Sequence, residues 1–513
     1  MLSLFTAYKK SDWILAAFIF LIILALAGTQ LTSGMPDWGD DFAAYINEGI
    51  AISEGDFYEQ TVRNYTMHGT VLSEEAADGK LVYVWGFPLL LSTVYELVGF
   101  DTVNFGSIFF YKLPSLICFA LMAAVLYLFY RRYFSSALSC VLVLLFCISG
   151  DLIRSIDLLN VDIIFLFLVV LSLWLVECLL DAENLPGQTP KFVFSGLIFG
   201  MVLWFTHETR LNGFTVILAV FARHVIGLVQ KKEKFSLRRV ALNLLPYAVF
   251  LLLTLVSEAI LAPATQNISH VGATSISNIF GTIYYYYYTT VIYIKTLTGE
   301  SLSFIWPGIC ILLAIGFIAD GFRWRNLHLT VLLAGTYIIL FTLPYTQGLR
   351  YLFYVLPIMV LYIALGAVRI YNWLASKLNK PRLLKGCAIL ACALLLLSVY
   401  VPAVGASIEN RKNYGQLADT DVYSPQAVEV FHYIQENVEQ DALIGFIKPR
   451  ALYLNTGRMA FIPNINSLTL ADADYFLSAS FITSEVSEAA ASPLPEDAIT
   501  VFENELFTLY KLN

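Results

Sequence analysis

Apolar runs of about 16–22 residues dominate this sequence, and that is the length a helix needs to cross the hydrocarbon core of a bilayer. They fall at about 13–29, 106–130, 137–150, 161–180, 192–207, 212–229, 240–261, 303–319, 329–343, 351–370 and 386–402. A chain with about eleven such runs satisfies its backbone in lipid only as helices. Composition agrees: 58% of the 513 residues are hydrophobic, 14% are charged, and the mean hydropathy is +0.70. Soluble globular chains carry about 25% charged residues. The expected class is an all-α polytopic membrane protein with membrane lipids around it. Trp13–Gly28 follows Lys9 and Lys10 as in a signal peptide, but Gly28-Thr29-Gln30 is a poor cleavage site, so an uncleaved first span is expected. A net charge of −8 and the lack of a Lys/Arg-rich tract give no nucleic-acid partner. The seven cysteines sit in or beside apolar runs without C-x-x-C spacing, as small buried hydrophobes and not as a metal site or disulfide frame.

The lysine and arginine distribution sets an orientation. With the N-terminus inside, seventeen basic residues fall on inner loops and helix ends, and seven on outer ones: Arg63, Lys80, Lys112, Arg154, Arg210, Lys295 and Arg350. This balance requires Phe87–Phe100, which opens on Gly86 and Pro88 and contains Glu96, to be re-entrant or interfacial and not a full span. The chain then divides into a transmembrane part, 1–402, and an extracytoplasmic unit, 403–513, in the cell (plasma or inner) membrane. Long outer loops cover 30–105 and 262–302. The tail reads as a small α/β unit, with Pro425 opening a helix over Ala427–Val438 and short strands at Ala442–Ile447, Asp474–Ser480 and Phe507–Leu512. No internal repeat is visible.

Charges at membrane level are costly and tend to mark function, and here they gather toward the outer face. Asp40 and Asp41 are adjacent, just after the first span, with Asp40 near the start of a helix-compatible stretch. Such a pair raises one carboxyl pKa by mutual repulsion and suits a general base; a helix cap in a solvated acidic loop is the plain alternative. Asp151, Arg154, Asp157, Asn160 and Asp162 occupy the tight turn between the third and fourth spans, where one cap and one loop ion pair would also account for them. His207-Glu208-Thr209-Arg210 is squeezed between two further spans. Arg210 is a cation fit for a phosphate, or an interfacial arginine reaching to headgroups. Arg350 stands at another helix entrance, in Tyr345-Thr346-Gln347-Gly348-Leu349-Arg350-Tyr351. Lys112 and Lys295 can add to an anionic ligand site or serve as anchors. The Tyr284–Tyr288 run reads as an aromatic belt, with sugar stacking as the second option. Asn64-Tyr65-Thr66 and Asn267-Ile268-Ser269 match the glycosylation pattern, a frequent chance match.

In order and sidedness these motifs resemble the C-type glycosyltransferase superfamily, above all its bacterial protein O-mannosyltransferase-like and aminoarabinose-transferase-like members. The matching features are Asp40-Asp41 in a long first outer loop, Trp85-Gly86-Phe87-Pro88 before the second span, and Asp162 opening the fourth. Arg210, Arg350-Tyr351-Leu352, and the tail segment Lys448–Arg458 complete the match. Asp41 stands where many members have glutamate. The resemblance implies transfer of a sugar from a polyprenyl-phosphate donor to a hydroxyl on a glycan, lipid or protein, with inversion. Asp40 would then be the base, Asp41 and Asp162 would orient the acceptor or a polar network, and Arg210, Arg350 and Lys112 would hold the donor phosphate. Asp157, Asn160, His207, Glu208 and Tyr345 are the further substrate candidates. The resemblance requires no cofactor; a divalent metal is compatible with the carboxylates but nothing calls for one. A transporter or flippase of a lipid-linked saccharide is the alternative, and a non-catalytic scaffold the third reading.

Overall fold

The computed structural model describes residues 8–36, 38–69, 84–103, 105–182, 189–230, 237–260, 276–342, 348–378, 380–481 and 494–512. Helix α1 (Lys10–Gly28) is followed by three short helices, α2 (Asp41–Glu54), α3 (Phe57–Met67) and α4 (Gly86–Val98), and then by α5 (Ile108–Tyr130). Next come α6 (Ser136–Cys147), α7 (Gly150–Asp157), α8 (Val161–Ala182), α9 (Thr189–Thr209), α10 (Gly213–Gln230) and α11 (Leu237–Ile260). The bundle closes with α12 (Ile276–Thr296), α13 (Trp306–Gly316), α14 (Leu327–Thr342), α15 (Leu356–Leu378) and α16 (Pro381–Lys412). Among the described residues nine helices are long and apolar enough to cross a membrane, and ten if the bent pair α6–α7 is one span. With the shorter apolar α14, each of the eleven runs becomes a helix, and the chain is a multi-pass membrane protein.

Three elements differ from the sequence reading in instructive ways. The third run does not stop at 150. Ile148-Ser149-Gly150 breaks it, and the chain turns by 57° into the amphipathic α7, which buries Leu152, Ile153 and Ile156. Within the segment 262–302, part of which lies outside the described residues, α12 is a helix of 21 residues. Its tyrosines divide by helical phase: Tyr286 and Tyr293 are buried, while Tyr284, Tyr287 and Tyr288 are exposed. Finally, α16 runs through 402 to Lys412, so residues 403–412 belong to the helix. The stretch after Gly86 is the 13-residue α4, which at 1.5 Å per residue is about 20 Å long and shorter than the hydrocarbon core.

Packing centres on α8, whose span is 83% buried, against 6% for those of α13 and α16. Helices α13 and α15 approach closely because Gly316 and Gly366 face each other's helix. A Cβ on Gly316 would meet the Tyr362 carbonyl, and one on Gly366 the Leu312 carbonyl. Small residues at such crossings let backbones come together where no hydrophobic drive separates helix from lipid.

The tail forms α17 (Pro425–Asn437), α18 (Pro449–Thr456) and a five-stranded sheet of order β2-β1-β3-β5-β4. Its strands are β1 (Ile444–Gly445), β2 (Ala460–Phe461), β3 (Tyr475–Ala479), β4 (Ile499–Glu503) and β5 (Phe507–Lys511). β1 pairs parallel with β2 and β3, while β5 pairs antiparallel with β3 and β4. This unit shares a hydrophobic core with the helical part. The Trp38 ring lies 5.8–6.1 Å from those of Phe431, Phe446, Phe481 and Phe507, and its Nε1 donates to the Thr420 carbonyl at 3.0 Å. The end of α3 is stitched to the tail as well, with the amides of Ile462 and Leu468 donating to the carbonyls of Met67 and Gly69.

Candidate active site

Four elements converge at the end of the bundle that carries the sheet. α9 ends at Thr209 in a tight turn closed by the Gly213 amide donating to the Arg210 carbonyl at 2.7 Å. That turn aims Arg210 at Asp162, in the first turn of α8, and the two side chains form an ion pair. The Arg210 guanidinium also lies 4.2 Å from the centre of the Tyr351 ring. Arg350, on the 3-10 stretch Leu349–Val355, sits 5.5 Å from the same ring. It pairs with Asp41 at 3.4 Å. Tyr351 therefore stands beside two guanidinium groups, one on Asp162 and one on Asp41. Tyr45, one helical turn beyond Asp41, is buried within electrostatic reach of both arginines.

The two cations are not equivalent. The Arg210 side chain is 11% exposed and held by an almost fully buried aspartate, whereas that of Arg350 is 39% exposed and its partner 33%. Charge-assisted N–H···O bonds are about 2.7–2.9 Å long, so the Arg350–Asp41 contact is loose. A guanidinium carries five donors, which leaves Arg350 able to bind an incoming anion.

Asp40 occupies the N-cap position of α2 without capping it. Its carboxylate turns to the tail instead, where Oδ1 accepts from the Ala451 amide at 3.0 Å and Oδ2 from the Arg450 amide at 3.4 Å. It thus caps α18, whose own N-cap residue Lys448 makes no side-chain cap. The Arg450 guanidinium is 4.0 Å from Asp40 Oδ2 and its other arm reaches His68 Nε2 at 2.6 Å. Burial pushes the Asp40 carboxyl above its usual range, opposed by Arg450, the α18 amides and Lys448. Burial and the Arg450 charge pull His68 down to about 4.

Other residues singled out in the sequence lie elsewhere or do other work. The Lys112 ammonium is buried and holds Asp157 Oδ1 at 2.6 Å, the Gly34 carbonyl at 2.6 Å and the Thr32 carbonyl at 3.1 Å. Its three donors are spoken for within the protein, which leaves none for a donor phosphate. Asp157 receives the Thr32 amide and hydroxyl as well, so this pair bolts α7 and α5 to the segment after α1. Asn160 is half-buried just before α8. Glu208 is buried and accepts from Ser257 at 3.1 Å, with His207 Nδ1 3.6 Å away. Gly86 explains the aromatic-Gly-x-Pro motif: a Cβ there would stand 2.6 Å from the Glu208 carbonyl, so only glycine lets α4 lie on the end of α9. Tyr345 lies outside the described residues. Lys295 stacks on Trp306 at 5.6 Å, as an anchor would. Asn64 is buried, donating to Glu48 and accepting from Gln60, with no room for a glycan. Among the described residues no three His, Cys, Asp or Glu side chains converge to hold a metal.

Sequence reasoning gave no role to Tyr45, Trp38 or His68, and none to Arg450 beyond its place in the tail segment. Tyr45 was within reach, since it is four residues from Asp41 and so on the same helix face. His68 and Arg450 carry no local signal.

No protein-family model matches the chain, and neither does a curated protein. Solved structures do match in fold. The aminoarabinose transferase ArnT from Cupriavidus metallidurans, bound to undecaprenyl phosphate, superposes with a TM-score of 0.55 at 13% identity over 98% of each chain. The oligosaccharyltransferase AglB from Archaeoglobus fulgidus, in complex with an inhibitory peptide and a dolichol-phosphate, matches with a TM-score of 0.54 at 11% identity. That match covers 92% of this chain and 70% of the other. Both are C-type glycosyltransferases, and the architecture of this chain, from α1 to the last strand of the tail, is the fold of that class.

Proposed function

We propose that the chain transfers a sugar from a polyprenyl-phosphate donor to a hydroxyl acceptor on the extracytoplasmic face of the cell membrane. The observation that carries this is the Arg210–Tyr351–Arg350 cluster beside the Asp40-Asp41 pair, set on a bundle whose fold-mates were solved with undecaprenyl phosphate and dolichol-phosphate. The donor phosphate meets Arg350 first, while Arg210 is kept in place by Asp162. The acceptor oxygen attacks the anomeric carbon, and the bond from that carbon to the phosphate oxygen breaks. The polyprenyl phosphate leaves with the electron pair, and the acceptor proton passes to Asp40. A single displacement of this kind inverts the anomeric centre. The arginines favour charge growing on the departing phosphate more than charge already present, which is what accelerates the step. Asp40 suits a base because burial raises its proton affinity and a carboxylate has about four lone-pair sites, of which α18 uses two. No step runs through a metal.

The orientation follows the positive-inside rule. Arg131, Arg132, Arg223, Arg323 and Arg369 gather at the end remote from the sheet, paired with Asp12, Asp181, Glu177 and Asp320, and Arg325 joins them by donating to the Arg132 carbonyl. That end is cytoplasmic in this reading. The test is Asp40→Asn, assayed for transfer from a lipid-linked sugar in vesicles, with a kcat loss of about 10²–10⁴ expected. Full activity in well-expressed protein removes the base assignment. Transbilayer movement of the lipid-linked sugar with no new glycosidic bond replaces the transferase with a flippase.

A further inference from the structure

The contact between the acid pair and the tail is more specific than packing requires. Arg450 is itself buried, yet its whole peptide unit is engaged at one place: its amide donates to Asp40, its carbonyl accepts from Asn47 at 3.2 Å, and its guanidinium bridges Asp40 and His68. Asn47 and Asp40 both belong to the α2 region, so α18 is registered against that helix at two points. Gly457, in the left-handed conformation at φ 67°, ends α18 after eight residues. The result is a short helix whose N-terminus, with its partial positive charge, points at one carboxylate.

We infer that Arg450 is a positioning residue of the transfer reaction: with the N-terminus of α18 it orients the Asp40 carboxylate and keeps it ionised, so that the C-terminal unit completes the active site. The inference rests on the reading of Asp40 as the base. The charged groups facing Asp40 are Arg450 and Lys448 at the entry to α18, Asp41 beside it on α2, and His68 behind Arg450. His68, held neutral by burial and by the Arg450 charge, accepts the second arm of the guanidinium and so fixes its aim. Charge loss at Arg450 removes the largest influence opposing burial at Asp40 and leaves the α18 amides and Lys448, and the base then needs a higher pH to lose its proton.

The experiment uses the full chain in lipid vesicles, with the undecaprenyl-phosphate-linked hexose or pentose that the wild type turns over. For Arg450→Gln, the acid limb of kcat/KM moves up by about one pH unit, so that activity at a fixed pH on that limb falls about tenfold, while affinity for undecaprenyl phosphate stays unchanged. Arg450→Lys keeps the limb near its original place. An infrared carboxyl band that disappears in Asp40→Asn gives a readout independent of turnover, and it titrates at higher pH in Arg450→Gln. An unmoved limb and band, with activity falling only in proportion to folded protein, overturns the inference while leaving the transferase intact. A wild type that transfers no sugar overturns the transferase reading, and the band alone then reports whether Arg450 governs Asp40.

Discussion

The arginines Arg223 and Arg350, at opposite ends of the bundle, are held by their acidic partners to different degrees. At the end remote from the sheet, Glu177 is buried between Arg223, which holds both its oxygens at 2.5 and 2.9 Å, and Arg132 at 3.3 Å; Arg132 also grips Asp181. Arg131 closes on Asp12 at 2.8 Å, and Arg369 on Asp320 at 2.6 Å. These are short, mostly two-pronged contacts that use up the charges they involve. At the sheet end, Arg350 reaches Asp41 at 3.4 Å and both groups are over a third or about a third exposed. The difference teaches that a count of membrane-level arginines does not find a site. What separates lock from receptor is how fully each guanidinium is already satisfied.

Breaking the lock has the largest expected effect. Glu177→Ala leaves the buried Arg223 guanidinium without its carboxylate, with Arg132 still held by Asp181, and destabilises the protein by about 3–5 kcal/mol. A thermal melt in detergent checks this, and transfer per folded molecule stays at the wild-type level. Loss of activity without loss of stability there would erase the distinction between the two ends. Next comes the receptor end. Arg350→Ala lowers kcat by about 10²–10³, equivalent to about 2.7–4 kcal/mol of transition-state stabilisation, with a melting temperature close to wild type. An unchanged kcat in the transfer assay would place the phosphate elsewhere.

The smallest effect is a pH dependence. His68 titrates at about 4 in the fold against 6.5 unperturbed, so between those values the unfolded chain binds the extra proton. Its contribution to stability is present above about pH 6.5 and is lost as pH falls toward 4, a change of about 1–3 kcal/mol. Over that window the melting temperature of His68→Gln falls less than that of wild type. Equal slopes would show that the imidazole is not a neutral acceptor for Arg450.

What the sequence disclosed follows the range of the interactions. Each apolar run became a helix because lipid leaves a helix no alternative, and Asp162, Arg210 and Arg350 lie together because each stands at a helix end on one side of the bundle. Lys112 and Asp157 had the same signature, charges at helix ends, yet they satisfy each other; burial is a tertiary property that spacing does not encode. The bend after Cys147 was signalled by Ser149-Gly150, but the apolar count ran across it. α12 was obscured because its tyrosines and threonines lower hydropathy while still filling a helical face. The cap on α18 joins residues separated by 411 positions, and no local pattern records a contact of that length.

That separation has a consequence for how the molecule comes into being. Asp40 leaves the ribosome in the first tenth of the chain, whereas the helix that sets its carboxylate and the aromatic pocket that takes Trp38 arrive among the last hundred residues. At a synthesis rate of about 5–20 residues per second, the interval is about 20–80 s. Throughout it the first loop has its tryptophan unhoused and its acid unset. A chain that stalls before residue 451 therefore lacks the amides that hold the Asp40 carboxylate in place.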